Sequence, residues 1–165
     1  MNYMNIDDCE ICNGEGVGVS LFVSGCTLHC RGCFNKEAWN PDNGQPFDKA
    51  TEDKFIELAS KPYISRISIL GGEPTMNTNY KAVTDLLERL QILNKTIWLY
   101  SGLTYETIMS VPHLKRMLRL VDVLVDGRFE YELKDPSLKF RGSSNQRIID
   151  VKKSMESKSV VLYME

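Results

Sequence analysis

The sequence contains no apolar run that approaches the ~18–20 residues that a membrane-spanning helix requires. It also lacks a strong excess of either charge, because 20 Lys and Arg residues face 22 Asp and Glu residues, which leaves a formal net charge of −2. We therefore expect neither a membrane nor a nucleic acid as a partner. The first residues contain no basic region followed by an apolar stretch. We expect no secretory signal and a cytoplasmic location.

Cysteine is scarce, with five residues in a chain of 165. Thiols of a cytoplasmic protein are kept reduced, which favours metal or redox chemistry over disulfides. Three of the cysteines, Cys26, Cys30 and Cys33, lie within eight residues, so a single loop can bring them to one metal centre. A closed zinc site and an ordinary iron–sulfur cluster each use four protein ligands. Three thiolates would leave one coordination position for a ligand that is not protein.

An apolar content of 42% and this length predict one globular domain over residues 1–165. Hydrophobic periodicity predicts strands over 17–23, 64–70, 96–100, 121–125, 148–151 and 160–163. Helices are predicted after a cap at Thr51, from about Asn79, and as two short helices within 105–120 that Pro112 separates. Residues 1–15 are polar, and residues 130–144 have no clear period.

The alternation of strands and helices predicts right-handed crossovers and a parallel sheet. A complete eight-unit barrel usually needs ~200–250 residues. The predicted fold class is therefore α/β, as an incomplete, open parallel β/α barrel. Four strands end in polar or glycine-rich turns: Gly25-Cys26, Gly71-Gly72-Glu73, Ser101-Gly102 and Asp126-Gly127. Because ligands bind at the carboxyl ends of parallel strands, we expect these turns to line one site.

The cysteines allow two metal sites. A zinc ribbon would use four thiols at the required spacing: Cys9, Cys12, Cys30 and Cys33. An iron–sulfur site with three thiolates would use Cys26, Cys30 and Cys33. The zinc site would leave Cys26 unused and would enclose the predicted strand 17–23 in a zinc loop. The glycine-rich strand ends also supply the small-molecule site that an open iron position needs, so the sequence favours the cluster.

Two motifs resemble those of the radical S-adenosylmethionine (SAM) enzymes. Cys26-x3-Cys30-x2-Cys33 followed by Phe34 resembles the signature of that superfamily, and Gly71-Gly72-Glu73-Pro74 after a strand resembles its second motif. Further segments resemble one family, the anaerobic ribonucleoside-triphosphate reductase activating proteins: Met1–Tyr3, Leu21–Cys26, Cys33–Asn35, Ile97–Tyr100, Leu124–Gly127 and Phe140–Arg147. The resemblance extends to about Asp150. Gly18 stands where that family often has a larger, frequently basic residue.

The resemblance implies a fold of the radical SAM type and a [4Fe-4S] cluster. The implied ligands of three irons are Cys26, Cys30 and Cys33, and the fourth iron would bind SAM. The residues implied near the cofactor are Gly71, Gly72 and Glu73 in the second motif and Gly32, Cys33 and Phe34 beside the adenine. Reductive cleavage of SAM would give a 5′-deoxyadenosyl radical, which would take a hydrogen atom from a glycine of the reductase. This step needs no separate acid–base residue.

The implied partners are the large subunit of an anaerobic ribonucleotide reductase, a reduced flavodoxin-like electron donor and a second copy of the chain. An activase of another glycyl-radical enzyme stays an alternative. The sequence assigns no role to Cys9 and Cys12, to Asp126, or to the polar segment Arg141–Arg147.

Overall fold

The computed structural model describes residues 1–165, which form eight strands in one sheet and five α-helices. The strands are β1 (Asn2–Glu10), β2 (Gly18–Val23), β3 (Gln45–Pro46), β4 (Arg66–Gly71), β5 (Thr96–Ser101), β6 (Val123–Asp126), β7 (Arg147–Asp150) and β8 (Leu162–Met164). The helices are α1 (Lys49–Ala59), α2 (Tyr80–Leu90), α3 (Tyr105–Ser110), α4 (Pro112–Leu118) and α5 (Val151–Ser157). None of these helices has the length and apolarity to cross a membrane.

The strand order is β3-β1-β2-β4-β5-β6-β7-β8. The four central strands, β2, β4, β5 and β6, are parallel, as the sequence predicts. The strands on both sides of them are antiparallel to their neighbours. The α/β class and the open sheet are confirmed. The expectation that the sheet is parallel throughout is wrong, because β1, β3, β7 and β8 pair antiparallel.

Short or helix-free connections explain two of the antiparallel pairs, β1 with β2 and β6 with β7. Residues 11–17 join β1 to β2, and a parallel pair needs a crossover of a dozen residues or more. Residues 127–146, which we call the β6–β7 segment, contain only a short 3-10 turn at Tyr131–Leu133 and no crossover helix. Strand β1 was not predicted from the sequence, because Asn5, Asp7 and Asp8 make this segment polar. It nevertheless pairs along β2.

The helices pack against one face of the sheet, where 23 buried residues form the main core. The apolar stripe predicted for α2 is buried: Val83, Leu86, Leu87 and Leu90. Helix α1 begins earlier than expected, because the Asp48 side chain accepts a hydrogen bond from Thr51 N at 2.8 Å. Asp48 is thus the cap, and the assignment of the cap to Thr51 is wrong. Pro112 begins α4 and separates it from α3, as predicted.

The other face of the sheet has a smaller apolar cluster, formed by Trp98, Val123, Val125 and Ile148. Phe140 from the β6–β7 segment packs edge-on against Trp98, with ring centroids 5.6 Å apart. This face therefore has loop rather than helix over it, which leaves room for a cavity at the carboxyl ends of the parallel strands. That residues 1–165 are one domain stays a prediction.

Candidate functional site

A cavity of about 560 Å³ lies at the carboxyl ends of the parallel strands. Its apolar wall includes one residue from each of them: Phe22, Leu70, Tyr100 and Val125. The volume falls in the range of roughly 300–1,000 Å³ that small-molecule sites occupy. All eight residues that the sequence singles out lie in the wall: Cys26, Cys30, Gly32, Cys33, Phe34, Gly71, Gly72 and Glu73. The structure brings them together, and their contacts with a cofactor stay a prediction.

The cysteine loop follows β2 and is held by backbone hydrogen bonds. Cys26 N donates to Trp39 O at 3.0 Å, and Cys33 N donates to Cys30 O at 3.1 Å. Asn35 N lies 3.4 Å from Cys33 Sγ and donates to it. The three thiols are free and partly exposed. The loop is therefore ordered by the chain itself, with its thiols accessible from the cavity.

The thiols of the loop do not converge on one point. No group of three or more His, Cys, Asp or Glu side chains is close enough together to hold one metal ion. A four-iron cluster binds each thiolate at a different iron, so its ligands need not converge on one point. A zinc ribbon requires four thiolates around one ion. Cys12 lies in the cavity wall, but Cys9 does not.

The glycines of the second motif bring two strand-end turns into contact. Gly72 N donates to Val23 O and Glu73 N donates to Gly25 O, both at 2.7 Å. A Cβ on Gly71, whose φ is +106°, would lie 2.8 Å from backbone atoms of β2, and one on Gly72 would lie 2.5 Å from Gly25 O. Since no side chain fits there, these glycines let the turn after β4 lie directly against the turn that carries the cysteine loop.

Glu73 is buried and joins the turns after β4 and β5. Its carboxylate accepts hydrogen bonds from Thr75 N at 3.1 Å, Thr75 Oγ1 at 2.7 Å, Ser101 Oγ at 2.9 Å and Gly102 N at 2.8 Å. Burial raises the pKa of Glu73 above its ordinary value of 4.5, although these hydrogen bonds act to lower it. The side chain thus fixes two neighbouring parts of the cavity wall.

Replacing Glu73 with alanine is expected to destabilise the metal-free protein by about 2 kcal/mol, because the buried N–H of Thr75 and the partly buried N–H of Gly102 lose their acceptor. Denaturant unfolding followed by circular dichroism measures this. Ser101→Ala is the matched control, since it leaves the carboxylate in place and removes one neutral donor to it, together with the acceptor of Leu103 N. Equal destabilisation by the two variants would contradict the proposed bracing by Glu73.

The β6–β7 segment contacts the cysteine loop at several points. Arg128 Nη2 donates to Leu28 O at 2.8 Å. Arg31 Nη1 lies 2.6 Å from Glu132 Oε1, and the Arg31 guanidinium lies 5.2 Å from the centroid of the Tyr131 ring. Both partners of the ion pair are exposed, so the pair adds little stability. The Arg128 hydrogen bond and the packing of the Tyr131 ring on Gly32 also hold the segment against the loop.

Sequence reasoning missed most of this segment as part of the site. It supplies cavity-wall residues that no motif or period marks: Phe129, Lys134, Asp135, Pro136 and Leu138. Phe140 and Arg141, at the start of the segment that resembles the family, also lie in the wall. The sequence did contain one signal of this contact, the glycine at position 32. In the structure Gly32 has a φ of +73° and lies so close to the Tyr131 ring that no side chain fits there. A glycine between two candidate ligands indicates that another part of the chain packs there, although it does not say which part.

Asp126 has a structural role in this protein. It is buried, accepts a hydrogen bond from Tyr105 N at 2.7 Å at the start of α3, and accepts one from Arg147 Nε at 2.9 Å. Arg147 also pairs with Glu106, at 2.8 Å. Asp126 and Arg147 lie outside the cavity wall, whereas Arg141 lies in it.

Comparisons with known proteins agree with the chemistry of this site. The profile of a family described as "4Fe-4S single cluster domain" matches residues 12–149. The chain is similar to three curated proteins named anaerobic ribonucleoside-triphosphate reductase-activating protein. The one from Escherichia coli K12 is 41% identical over 150 residues, which cover 88% of this chain and 96% of the relative. Those from Pasteurella multocida and Enterobacteria phage T4 are 37% and 38% identical, over 90% of this chain and 96% and 93% of the relatives.

Proposed function

Because the chain belongs to the family of anaerobic ribonucleoside-triphosphate reductase-activating proteins, we propose that it activates an anaerobic ribonucleotide reductase by forming a glycyl radical on its large subunit. When bound, a [4Fe-4S] cluster would supply the electron that splits SAM into methionine and a 5′-deoxyadenosyl radical. That radical takes a hydrogen atom from a glycine of the reductase and leaves as 5′-deoxyadenosine. The electron comes from a reduced flavodoxin-like protein.

The observation that carries this proposal is the shared cavity. Three thiols from one loop and the glycine turn after β4 line the same space, although more than thirty residues separate them in the sequence. Three thiolates are one short of the usual set for a four-iron cluster. In this proposal the open position would face the cavity, whose volume is that of a small-molecule site. The three thiols and the cavity together favour a cluster whose open iron position binds a small-molecule cofactor.

The wall residues divide into two groups with different proposed roles. Cys26, Cys30 and Cys33 hold three irons. The turn Gly71–Glu73 and the turn Gly32–Phe34 contact SAM, the second beside the adenine. The apolar side chains at the strand ends, with Phe22 and Val125 among them, keep water from the reacting atoms. In this proposal the protein positions the cofactor and no side chain transfers a proton.

The proposal extends to the fold and the surroundings of the protein. The open sheet with helices on one face supports a fold of the radical SAM type, in which the sheet is an incomplete barrel. The five cysteines are free thiols, and we propose a cytoplasmic location, where thiols stay reduced. We also propose that the chain assembles as a dimer and with the large subunit of the reductase.

Anaerobic reconstitution with iron and sulfide tests the function. After reduction, addition of SAM should release 5′-deoxyadenosine, and mixing with the reductase should give the doublet of a glycyl radical in electron paramagnetic resonance (EPR) spectra. A reconstituted cluster that does not cleave SAM would contradict the proposal. Cleavage of SAM with a radical on another glycyl-radical enzyme, but none on the reductase, would identify a different target.

A further inference from the structure

Four of the eight exposed large hydrophobic side chains adjoin the cavity. They are Ile11, Phe34, Tyr131 and Leu133, with 68%, 93%, 49% and 40% of their surface exposed, and we call them the mouth patch. Phe34 belongs to the cavity wall, and Ile11 and Leu133 each precede a wall residue in the sequence. The Tyr131 ring lies against Gly32, which is also in the wall.

The other exposed hydrophobic residues lie elsewhere. Tyr63 and Ile92 precede β4 and β5, so they lie at the amino ends of the parallel strands, opposite the cavity. Leu162 and Tyr163 lie on β8. A single exposed hydrophobic side chain is common on protein surfaces. Four such side chains grouped beside one cavity are unusual on a free surface. Groups of large aromatic and aliphatic residues are typical of the centre of a protein interface.

We propose that the mouth patch is the surface on which the glycine-bearing segment of the reductase docks. This inference rests on the proposed function. Hydrogen transfer requires the glycine Cα to touch the cofactor within the cavity. The sheet, the cysteine loop and the β6–β7 segment form the cavity wall, so a protein substrate has to cover the opening between them. Phe34 lies in the wall, and the other residues of the mouth patch adjoin wall residues in the sequence or in space.

The charges beside the patch indicate what kind of segment fits. Arg31 and Glu132 flank the opening and pair with each other at 2.6 Å. Lys134, Asp135 and Arg141 in the cavity wall carry charges of both signs, so no single sign of charge dominates there. The apolar side chains of the mouth patch are therefore the contacts that a docking segment would use. A glycine meets the further requirement that its backbone can enter the cavity without a side chain in the way.

The test uses the reconstituted full-length protein and the large subunit of the reductase. In the double variant Ile11→Glu/Leu133→Glu, two carboxylates replace apolar contacts, while the residues assigned to the cluster and to SAM are untouched. Ile92→Glu is the matched control, since Ile92 is 82% exposed and lies at the amino ends of the parallel strands, away from the cavity. Affinity for the reductase is measured by anaerobic sedimentation, the glycyl radical by EPR, and SAM cleavage by the chain alone through release of 5′-deoxyadenosine.

The double variant should bind the reductase at least ~30-fold more weakly, which is the effect of losing one interface hot spot, and should form correspondingly less glycyl radical. Its SAM cleavage without the reductase should equal that of the control. Equal affinity of the two variants for the reductase would overturn the docking surface. So would an altered self-association of the chain with unchanged reductase binding, because the patch would then face a second copy. Failure of the unmodified protein to cleave SAM would overturn the proposed function, while the affinity measurement would still decide the docking surface.

Discussion

Replacement of Cys26 by serine is expected to leave the protein without a [4Fe-4S] cluster after anaerobic reconstitution. The variant keeps two of the three thiolates in the loop, and a hydroxyl is a poor substitute for a soft thiolate ligand of such a cluster. Iron should fall from about four atoms per chain towards zero. Release of 5′-deoxyadenosine should fall by more than ~100-fold, since loss of an outer partner of a metal ligand alone already costs roughly 10–100-fold. Iron analysis and EPR of the reduced protein measure the first effect.

Cys12→Ser is the control for this experiment, because Cys12 lies in the same cavity wall and its thiol is exposed. The variant should keep its iron and its activity. A zinc ribbon predicts the reverse: one zinc and no iron, lost on replacement of Cys12 and retained on replacement of Cys26. The two variants together therefore decide between the two metal sites that the cysteine spacing allows.

The position of the site could be predicted because it depends on local patterns. The apolar run before Cys26 forms β2, and Gly71 and Gly72 end β4 next to it in the sheet. Parallel strands place their carboxyl ends at one edge, so the motifs that follow them meet there without further information. The stripe on α2 and the break at Pro112 were predictable for the same reason. Each of these patterns depends only on residues that are close together in the sequence.

The remaining features depend on contacts between distant parts of the chain. Strand β1 is polar, and the sequence alone does not indicate that Asp7 lies opposite Ser20 in the sheet. The β6–β7 segment forms part of the site through contacts such as Arg128 with Leu28, which lie 100 residues apart. No periodicity marks such a contact, because it is made between single side chains and the backbone of a loop.

Arg66 is the most unusual residue that sequence reasoning did not single out. It lies on β4, on the face of the sheet without helices, and is fully buried. Its guanidinium pairs with Glu10 at 2.7 Å, donates to Asn13 O at 2.8 Å and contacts the Ser68 hydroxyl. A Cβ on Gly18 would collide with it. The Arg66 guanidinium thus fills the space beside position 18.

Arg66→Met is expected to destabilise the protein by about 3 kcal/mol, at the low end of the cost of removing one partner of a buried ion pair. Glu10, which tethers the first strand to the sheet, would lose its cation and keep only its hydrogen bonds from Ser20 Oγ, Cys12 N and Asn13 N. Denaturant unfolding of the metal-free protein measures the loss. Arg89→Met is the control, since Arg89 pairs with two carboxylates, Glu52 and Asp53, but is more exposed than Arg66. Its replacement should have a much smaller effect.

The pH dependence shows whether the unpaired Glu10 charge causes the loss. Burial raises the pKa of Glu10, but hydrogen bonds from Ser20 and Arg66 and the charge of Arg66 outweigh it and hold the pKa below 4.5. A carboxyl with a lowered pKa stabilises the fold above its unfolded pKa, and that contribution disappears as the pH falls through the folded value. Arg66→Met should therefore cost most at neutral pH and less in acid. Adding Glu10→Gln should recover much of the stability at neutral pH, because no buried charge then remains. A loss that is independent of pH, and not relieved by Glu10→Gln, would mean that Arg66 stabilises the protein by filling space rather than by its charge.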